Sequence, residues 1–461
     1  MIVSDTLRTA FLGCYGNPDI HTPNLDAFAQ RATRFTRAFP ESLPTIPVRR
    51  ALHTGRRAYP FRDYVPVKWD IVYLPGWQPM DNDEDTLAEN LAADGYHTGF
   101  VTDTLPYFAP AFNFQRGFWQ WEYIRGQQQD RWRSPFTVPD ERLARYGDPA
   151  ELREDMHSLL PMHLANTAHV RAEEDTSTAR VFQWATQFLE DNRSGQPFYL
   201  LVDCFDPHEP WEAPDKYYGL YADLDYDGRR IVHCGYGPAE ELGYSPDEIA
   251  YVRAQYSGLV TLLDTWFGTF MARLDALGLA DNTLVAFISD HGTNFCENPR
   301  GVIGKPQNAM YPGVMCLPLL VYLPGGPNAG QVCGELVYNI DLSALLYDLA
   351  GLRSEQPLDG RSLLPLLNGE RNWQRRDYVT CRYGHSLCYI DDRSWVLTDI
   401  DGRQKEVFDL ENDPDCRSPL AGPESETLFS RAWQRLIEDA GGEFPDYREH
   451  RQTDAIGQRP E

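Results

Sequence analysis

The sequence predicts a mixed α/β fold: a mostly parallel central sheet flanked by helices, then a smaller antiparallel sheet carrying a helix. Three observations predict it. Short apolar runs recur without polar alternation, as strands covered on both faces require. Between them lie segments with helical spacing and recognisable caps. After about residue 365 the rhythm changes to alternating strands joined by short turns.

In chain order, "TPNLDAFAQRATRF" predicts a helix with Thr22 as N-cap and Pro23 at its first position. "TLAENLAADG" opens on a capping box, Thr86 with Glu89, and closes at Gly95. A long helix starts at Ser245, Pro246 and Glu248. The apolar runs are "TGFVTD" (98–103), "FYLLVDCF" (198–205), "TLVAFISD" (283–290) and "LPLLVYLPG" (317–325). "DYVTCRYGHSLCYIDDRSWVLTDIDG" and "EVFDLENDP" read as an antiparallel meander with turns at Asp391-Asp392 and Asp401-Gly402, and "SETLFSRAWQRLIEDAGG" as the helix laid on it. This divides the chain into a main α/β domain over 1–365, an α+β subdomain over 366–443 and a polar tail over 444–461. The irregular stretch 106–170 holds three tryptophans within fourteen residues, Trp119, Trp121 and Trp132. It reads as an insertion with its own small core or as a lid over the active site.

Composition narrows the function. A formal charge of −26 disfavours a nucleic-acid or anionic-membrane partner, which basic patches would hold. No apolar run of about eighteen residues occurs and "MIVSDTLRTA" lacks the regions of a signal peptide, so the expected location is cytoplasmic. Nine cysteines without a CxxC or a Cys/His ladder suit free thiols in a reducing compartment. Only four lysines occur, Lys68, Lys216, Lys305 and Lys405, so one inside a motif is informative.

Polar residues cluster where predicted strands end: Asp5 in "IVSDTLR", Asp290 and His291 in "FISDHG", and Asp206 and His208 in "DCFDPHEPW". Two carboxylates and an imidazole brought together from separate strand ends suit one divalent cation. Each taken singly is more often a turn or helix cap.

Together with the loop "PESLPTIPVRRALHTGRR" (40–57), these stretches resemble the sulfatase and phosphonate monoester hydrolase branch of the alkaline phosphatase superfamily. The N-terminal segment, "FISDHG", "DPHEPW" and "VFDLENDP" resemble that family's motifs along most of the chain. The loop fits C-x-P-S-R-x-x-x-x-T-G-R at Pro47, Arg49, Thr54, Gly55 and Arg56, and departs with Thr45 for the cysteine and Val48 for the serine. The resemblance implies an alkaline phosphatase-like fold and an ester hydrolase. It also implies a metal held by Asp5, Asp290, His291 and Thr45, with Thr45 as nucleophile and Arg49, His208 and Lys305 on the anion.

The departures shift the expected substrate. A cysteine can become a formylglycine whose hydrate expels sulfate by breaking its own C–O bond; Thr45 cannot. A threonyl adduct must be hydrolysed at its central atom, which is feasible at phosphorus and hard at sulfur. Where sulfatases carry G-K-W-H, this chain has Asp103 in "VTDTLPYF", and "TDT", Thr102 to Thr104, resembles a threonine-rich segment of phosphonate monoester hydrolases. An anion in place of a cation favours a monoanionic diester or phosphonate monoester over a dianion, with Thr102, Asp103 and Thr104 expected at the substrate.

The expected enzyme is therefore a metal-dependent hydrolase of phosphodiesters or phosphonate monoesters with a threonine nucleophile, acting on a small anionic ester. Its cofactor would be one divalent ion, manganese or zinc ahead of calcium or magnesium. Three alternatives stay open: a sulfatase using unmodified Thr45, an inactive metal-binding homologue in which Thr45 is only an N-cap, and a second metal gathered by Asp206, His208 and His385. A homo-oligomer is compatible with the sequence. Only Met1 to Ser4 precede Asp5, so the first strand is expected to be short or the chain to begin late.

Overall fold

Consecutive apolar residues in a strand point to opposite faces, so a strand without alternation needs a core on each side. A computed structural model describes residues 1–449 except 68, 69, 71, 110, 196, 328 and 371, and in it the short strand Ile2–Ser4 meets this need. Ile2 joins Val202, Phe287 and Leu320 in one apolar cluster, and Val3 joins Leu201, Ile288 and Leu319 in the cluster on the other face.

Ile2–Ser4 lies at the centre of the large sheet, parallel to Phe198–Cys204 on one side and Val285–Ser289 on the other. Outward from Phe198–Cys204 follow His97–Thr102 and Gln120–Tyr123, both parallel. Beyond Val285–Ser289, Leu317–Tyr322 runs antiparallel and pairs in turn with Thr33–Phe39. The expected apolar runs are all strands, and the sheet is mostly parallel. The helices Ser177–Asn192 and Pro246–Ala276 pack on one face, and both capping boxes form, at Thr86 with Glu89 and at Ser245 with Glu248.

One element differs from expectation. The first helix stops at Ala29, and Thr33–Phe39 forms a strand where helical spacing ran on to Phe35. Thr33, Phe35 and Phe39 are β-branched or aromatic, and pairing with Leu317–Tyr322 buries them, which outweighs the local pattern.

The second sheet is the expected meander, Tyr378–Tyr383, Ser386–Asp391, Ser394–Asp399 and Glu406–Asp409, with the helix Pro423–Asp439 packed on it. It also takes a parallel strand from far upstream, Ser42–Leu43 beside Arg382 and Tyr383. The C-terminal sheet therefore supports the loop that leads into Thr45. Below it, fully buried Glu41 accepts the backbone N–H groups of Ala58 and Tyr59, while Arg57 pairs with Asp439 of the last helix at 2.7 Å.

The stretch 106–170 holds a small core of its own and contributes to a cavity wall. Val138, Leu143, Leu164 and Ala165 form a separate small core. Pro106, Gln128, Gln129, Tyr146 and Ser158 to Leu160 line a cavity of about 1150 Å³. Aliphatic residues make that core, because Trp119 and Trp121 are 70% and 46% exposed.

Candidate active site

In a parallel sheet, ligands gather beyond the carboxyl ends of the strands. Asp5 follows the strand Ile2–Ser4, and Asp290 and His291 follow Val285–Ser289. Because these strands are neighbours in register, the three side chains converge: one ligand atom from each lies within 4.8 Å of the others, all buried. Among the described residues this is the one group of its kind. Thr6 completes the turn at φ 63, a left-handed conformation costly for a β-branched residue. Held there, its N–H donates to Asp290 Oδ1 at 3.0 Å and its hydroxyl to Asp5 Oδ1 at 2.7 Å.

Burial, and next the Asp290 charge, push the Asp5 carboxyl well above the usual carboxylate range. Burial also opposes ionisation of Asp290, but His291, Arg49 and two backbone N–H groups outweigh it and hold that carboxyl low. Burial lowers His291 to about 4, and its Nδ1–H donates to the Gly292 carbonyl at 3.0 Å, which leaves the Nε2 lone pair facing the cluster. These residues fit a divalent cation. Asp5 Oδ2 is buried with no hydrogen-bond partner. Three fully buried carboxylates, Asp5, Asp203 and Asp290, share one guanidinium; with all three ionised, as a bound cation would hold them, the charge left over is that of a divalent ion.

Thr45 is the first residue of the helix Thr45–Thr54, and the N-cap is Pro44, so the capping role weighed for Thr45 is not the one it has. Its Oγ1 stands 3.3 Å from His291 Nε2, and the residue lines a cavity of about 1150 Å³. His208 and Lys305 line the same cavity. His208 stacks on Phe205 and donates Nδ1–H to the Glu209 carbonyl at 2.5 Å; burial lowers its pKa to about 3, so the ring is neutral with Nε2 free to accept. Lys305 Nζ donates to Thr6 Oγ1 at 3.0 Å and to Glu209 at 2.9 Å.

Arg49 is placed differently from the anion contact expected of it. It is fully buried, outside the cavity wall, with Nε and Nη2 on Asp203 at 3.0 Å, Nη1 on Asp290 and Nη2 3.1 Å from Asp5. Thr102, Asp103 and Thr104 also lie behind the site rather than on the substrate side. The hydroxyls of Thr102 and Thr104 donate to Asp203 Oδ1 at 3.3 and 2.7 Å, and Asp103 accepts from the Phe205 N–H at 2.7 Å and from Gln127 at 3.0 Å. All three stand at or just past the carboxyl end of His97–Thr102, where Asp203 and the Phe205 N–H of the neighbouring strand and its exit take up their polar groups. The second metal set does not assemble either. Asp206 accepts from Thr178, and His385 accepts from the Tyr447 N–H at 3.2 Å.

Two residues within "DCFDPHEPW" that the motif reading did not single out are central. Asp203 collects Arg49, Thr102, Thr104 and Tyr107. Glu209 is fully buried and takes Lys305 and the Tyr236 hydroxyl; His208 and Lys305 outweigh its burial and hold its pKa well below the usual range. Each carried a signal in the sequence, since a carboxylate inside an apolar strand or beside a site histidine needs a partner when buried.

Asp103 supplies a pH test. Burial first, then Asp206, raise it to about 7, whereas an unfolded aspartate titrates near 4. Its contribution to stability is therefore full below about pH 4 and lost as the pH rises through 7. Asp206, raised by burial to about 6, acts in the same direction. Asp103→Asn keeps an acceptor for the Phe205 N–H and removes one titration. Its melting temperature should fall less between pH 5 and pH 8 than that of wild type, by roughly a few degrees. Parallel melting curves for the two proteins would contradict the assignment.

Comparison with known proteins decides the family. Residues 1–352 match the sulfatase family model, and residues 306–440 match the model described as N-sulphoglucosamine sulphohydrolase, C-terminal. The chain belongs to the sulfatase family. It is thereby a hydrolase of ester bonds with the alkaline phosphatase-like fold, in a family whose members bind a divalent metal. It is 24% identical to an arylsulfatase of Clostridium perfringens, over 90% of this chain and 88% of that one. It is 28% identical to arylsulfatase A of Bos taurus, over 96% and 82%. The phosphonate monoester hydrolase of Agrobacterium radiobacter superposes with a TM-score of 0.73 at 21% identity, covering 100% of this chain and 99% of that one. No helix among the described residues is long and apolar enough to cross a membrane.

Proposed function

We propose that this sulfatase-family chain hydrolyses monoanionic phosphorus esters, phosphodiesters or phosphonate monoesters, through Thr45. One observation carries the reading: a threonine hydroxyl, which cannot become a formylglycine, stands at the acidic cluster and opens on the cavity that His208 and Lys305 line. A divalent cation held by Asp5, Asp290 and His291 would acidify the hydroxyl and polarise a phosphoryl oxygen. The Oγ1–P bond forms as the bond to the leaving oxygen breaks, and the hydroxyl proton ends on the leaving alcohol. Lys305 offsets the charge that grows on phosphorus-bound oxygen. His208, neutral and accepting at Nε2, takes a proton from water as that water attacks phosphorus; the Oγ1–P bond breaks and Oγ1 regains a proton.

Glu209 supports the monoanion preference that Asp103 was expected to provide. Paired at 2.9 Å, it cancels the Lys305 charge, so the cavity offers less attraction to a dianion. The family relationship keeps a sulfate ester as the second reading, since the arylsulfatases above share most of the chain's length. A panel of aryl sulfate, phosphate monoester, phosphodiester and phosphonate monoester, with metals added singly, separates them. Fastest turnover of the aryl sulfate would overturn the proposal. Glu209→Gln should raise kcat/KM on the monoester relative to the diester about tenfold; an unchanged ratio would remove Glu209 from specificity.

A further inference from the structure

Beside the catalytic cavity lies a second one of about 380 Å³, walled by the insertion and the segment after His208. Arg142, Arg145, Arg171 and Arg230 line it. Some arginines near this region take a carboxylate, Arg125 with Asp130, Arg153 with Asp140 and Arg229 with Glu248, and others, Arg133 and Arg180 among them, have no salt bridge among the described residues. The four cavity arginines have no carboxylate within salt-bridge distance among the described residues. Arg142 donates to Thr167 at 2.8 Å and Arg171 to the Val170 carbonyl at 3.4 Å, both neutral acceptors.

The cavity's acids are engaged elsewhere. Glu173 pairs with Lys216, Asp206 accepts from Thr178, and Glu212 accepts from Tyr146 and from His163 Nε2 at 3.0 Å; Asp215 is left, at an exposed position. His163 is only 4% exposed, lines the cavity, and its Nδ1 is buried with no partner. With Nε2–H donated to Glu212, the neutral ring presents Nδ1 as an acceptor, which suits the O–H of a singly protonated phosphate, while the anionic oxygens fall to the arginines. A buried polar atom without a partner is costly unless a ligand satisfies it.

Tyr146 and Arg230 stand in the walls of both cavities. We infer that the second cavity is an oxyanion subsite that takes a further phosphate, sulfate or carboxylate carried by the leaving portion of the substrate. The inference rests on the hydrolase reading above and adds a substrate class, an ester whose leaving group bears its own negative charge. Unpaired guanidinium groups suit such a group because each offers a planar pair of donors to two oxygens.

Two measurements on the full chain test it. Equilibrium dialysis with inorganic phosphate at low ionic strength should count two bound per chain in wild type and one in Arg142→Gln/Arg145→Gln, whose sites lie outside the catalytic cavity. A diester whose leaving alcohol carries a second phosphate should exceed the same diester without it in kcat/KM by about tenfold. The double variant should lose that preference, while its rate on the uncharged alcohol stays within about twofold and its melting temperature is unchanged. One phosphate in wild type overturns the subsite, whichever ester is turned over. Two phosphates with no preference between the esters overturn the substrate assignment and mark a site for free oxyanion. Should no ester react, the hydrolase reading fails, and the relative affinities of the two intact esters decide the subsite by the same criterion.

Discussion

Thr45→Ala is expected to lose turnover by about 10⁴-fold or more while folding normally and retaining its metal. Removing a nucleophile stops the covalent route, and what remains is binding and charge stabilisation. The hydroxyl is not a helix cap, since Pro44 holds that position, so little stability goes with it. Asp5, Asp290 and His291 supply the ligand atoms within 4.8 Å without it, so bound metal measured by elemental analysis should stay near the wild-type value. Thr45→Ser keeps an oxygen at the start of the same helix and should retain activity within roughly tenfold. This contrast separates a nucleophile from a packing role, because both variants lose the methyl and only the alanine also loses the oxygen. An alanine variant with wild-type kcat would mean that water attacks the ester directly.

The parts of this site that could be read from the sequence share one property: their role follows from position along the chain. Asp5, Asp290 and His291 each come just after a buried apolar run, and parallel strands bring such positions together. Thr45 and Lys305 stood in motifs. What stayed hidden depends on which way a side chain turns or on partners far away. Asp103 occupies the motif position of a cation, but its carboxylate meets the Phe205 N–H rather than substrate. Ser42–Leu43 is two residues long and exists as a strand only because Arg382 and Tyr383 lie beside it. The strand Thr33–Phe39 was masked by helical spacing, since local pattern does not report the pairing that decides between the two. Arg49 was legible as a site residue, though not as the hub of three buried acids.

That hub gives the second large effect. Arg49→Met should lower the melting temperature in chelator by roughly 3–5 °C, because removing one partner of a buried ionic group costs about 3–5 kcal/mol and a chain of this length loses about one degree per kcal/mol. Asp5, Asp203 and Asp290 are all fully buried, and Arg49 is the guanidinium that touches each. Asp203 keeps the hydroxyls of Thr102, Thr104 and Tyr107, so in chelator the uncompensated charge falls on Asp290, whose carboxyl Arg49 helps to hold low, while Asp5 is already pushed toward its neutral form. Asp5 Oδ2 already has no hydrogen-bond donor. A divalent ion bound by the same carboxylates replaces the lost charge, and a ligand that binds only the folded chain raises stability in proportion to its affinity. Added manganese or zinc should therefore raise the melting temperature of Arg49→Met by more than it raises that of wild type. Activity should not return in step, since the freed Asp203 and Tyr107 no longer hold the strand end and the nucleophile's helix in one arrangement. Scanning both proteins with chelator and with each metal measures this directly. An equal metal-induced rise in the two would show that the arginine and the cation do not share the carboxylates, and an unchanged melting temperature in chelator would show that Asp290 is not held charged by Arg49.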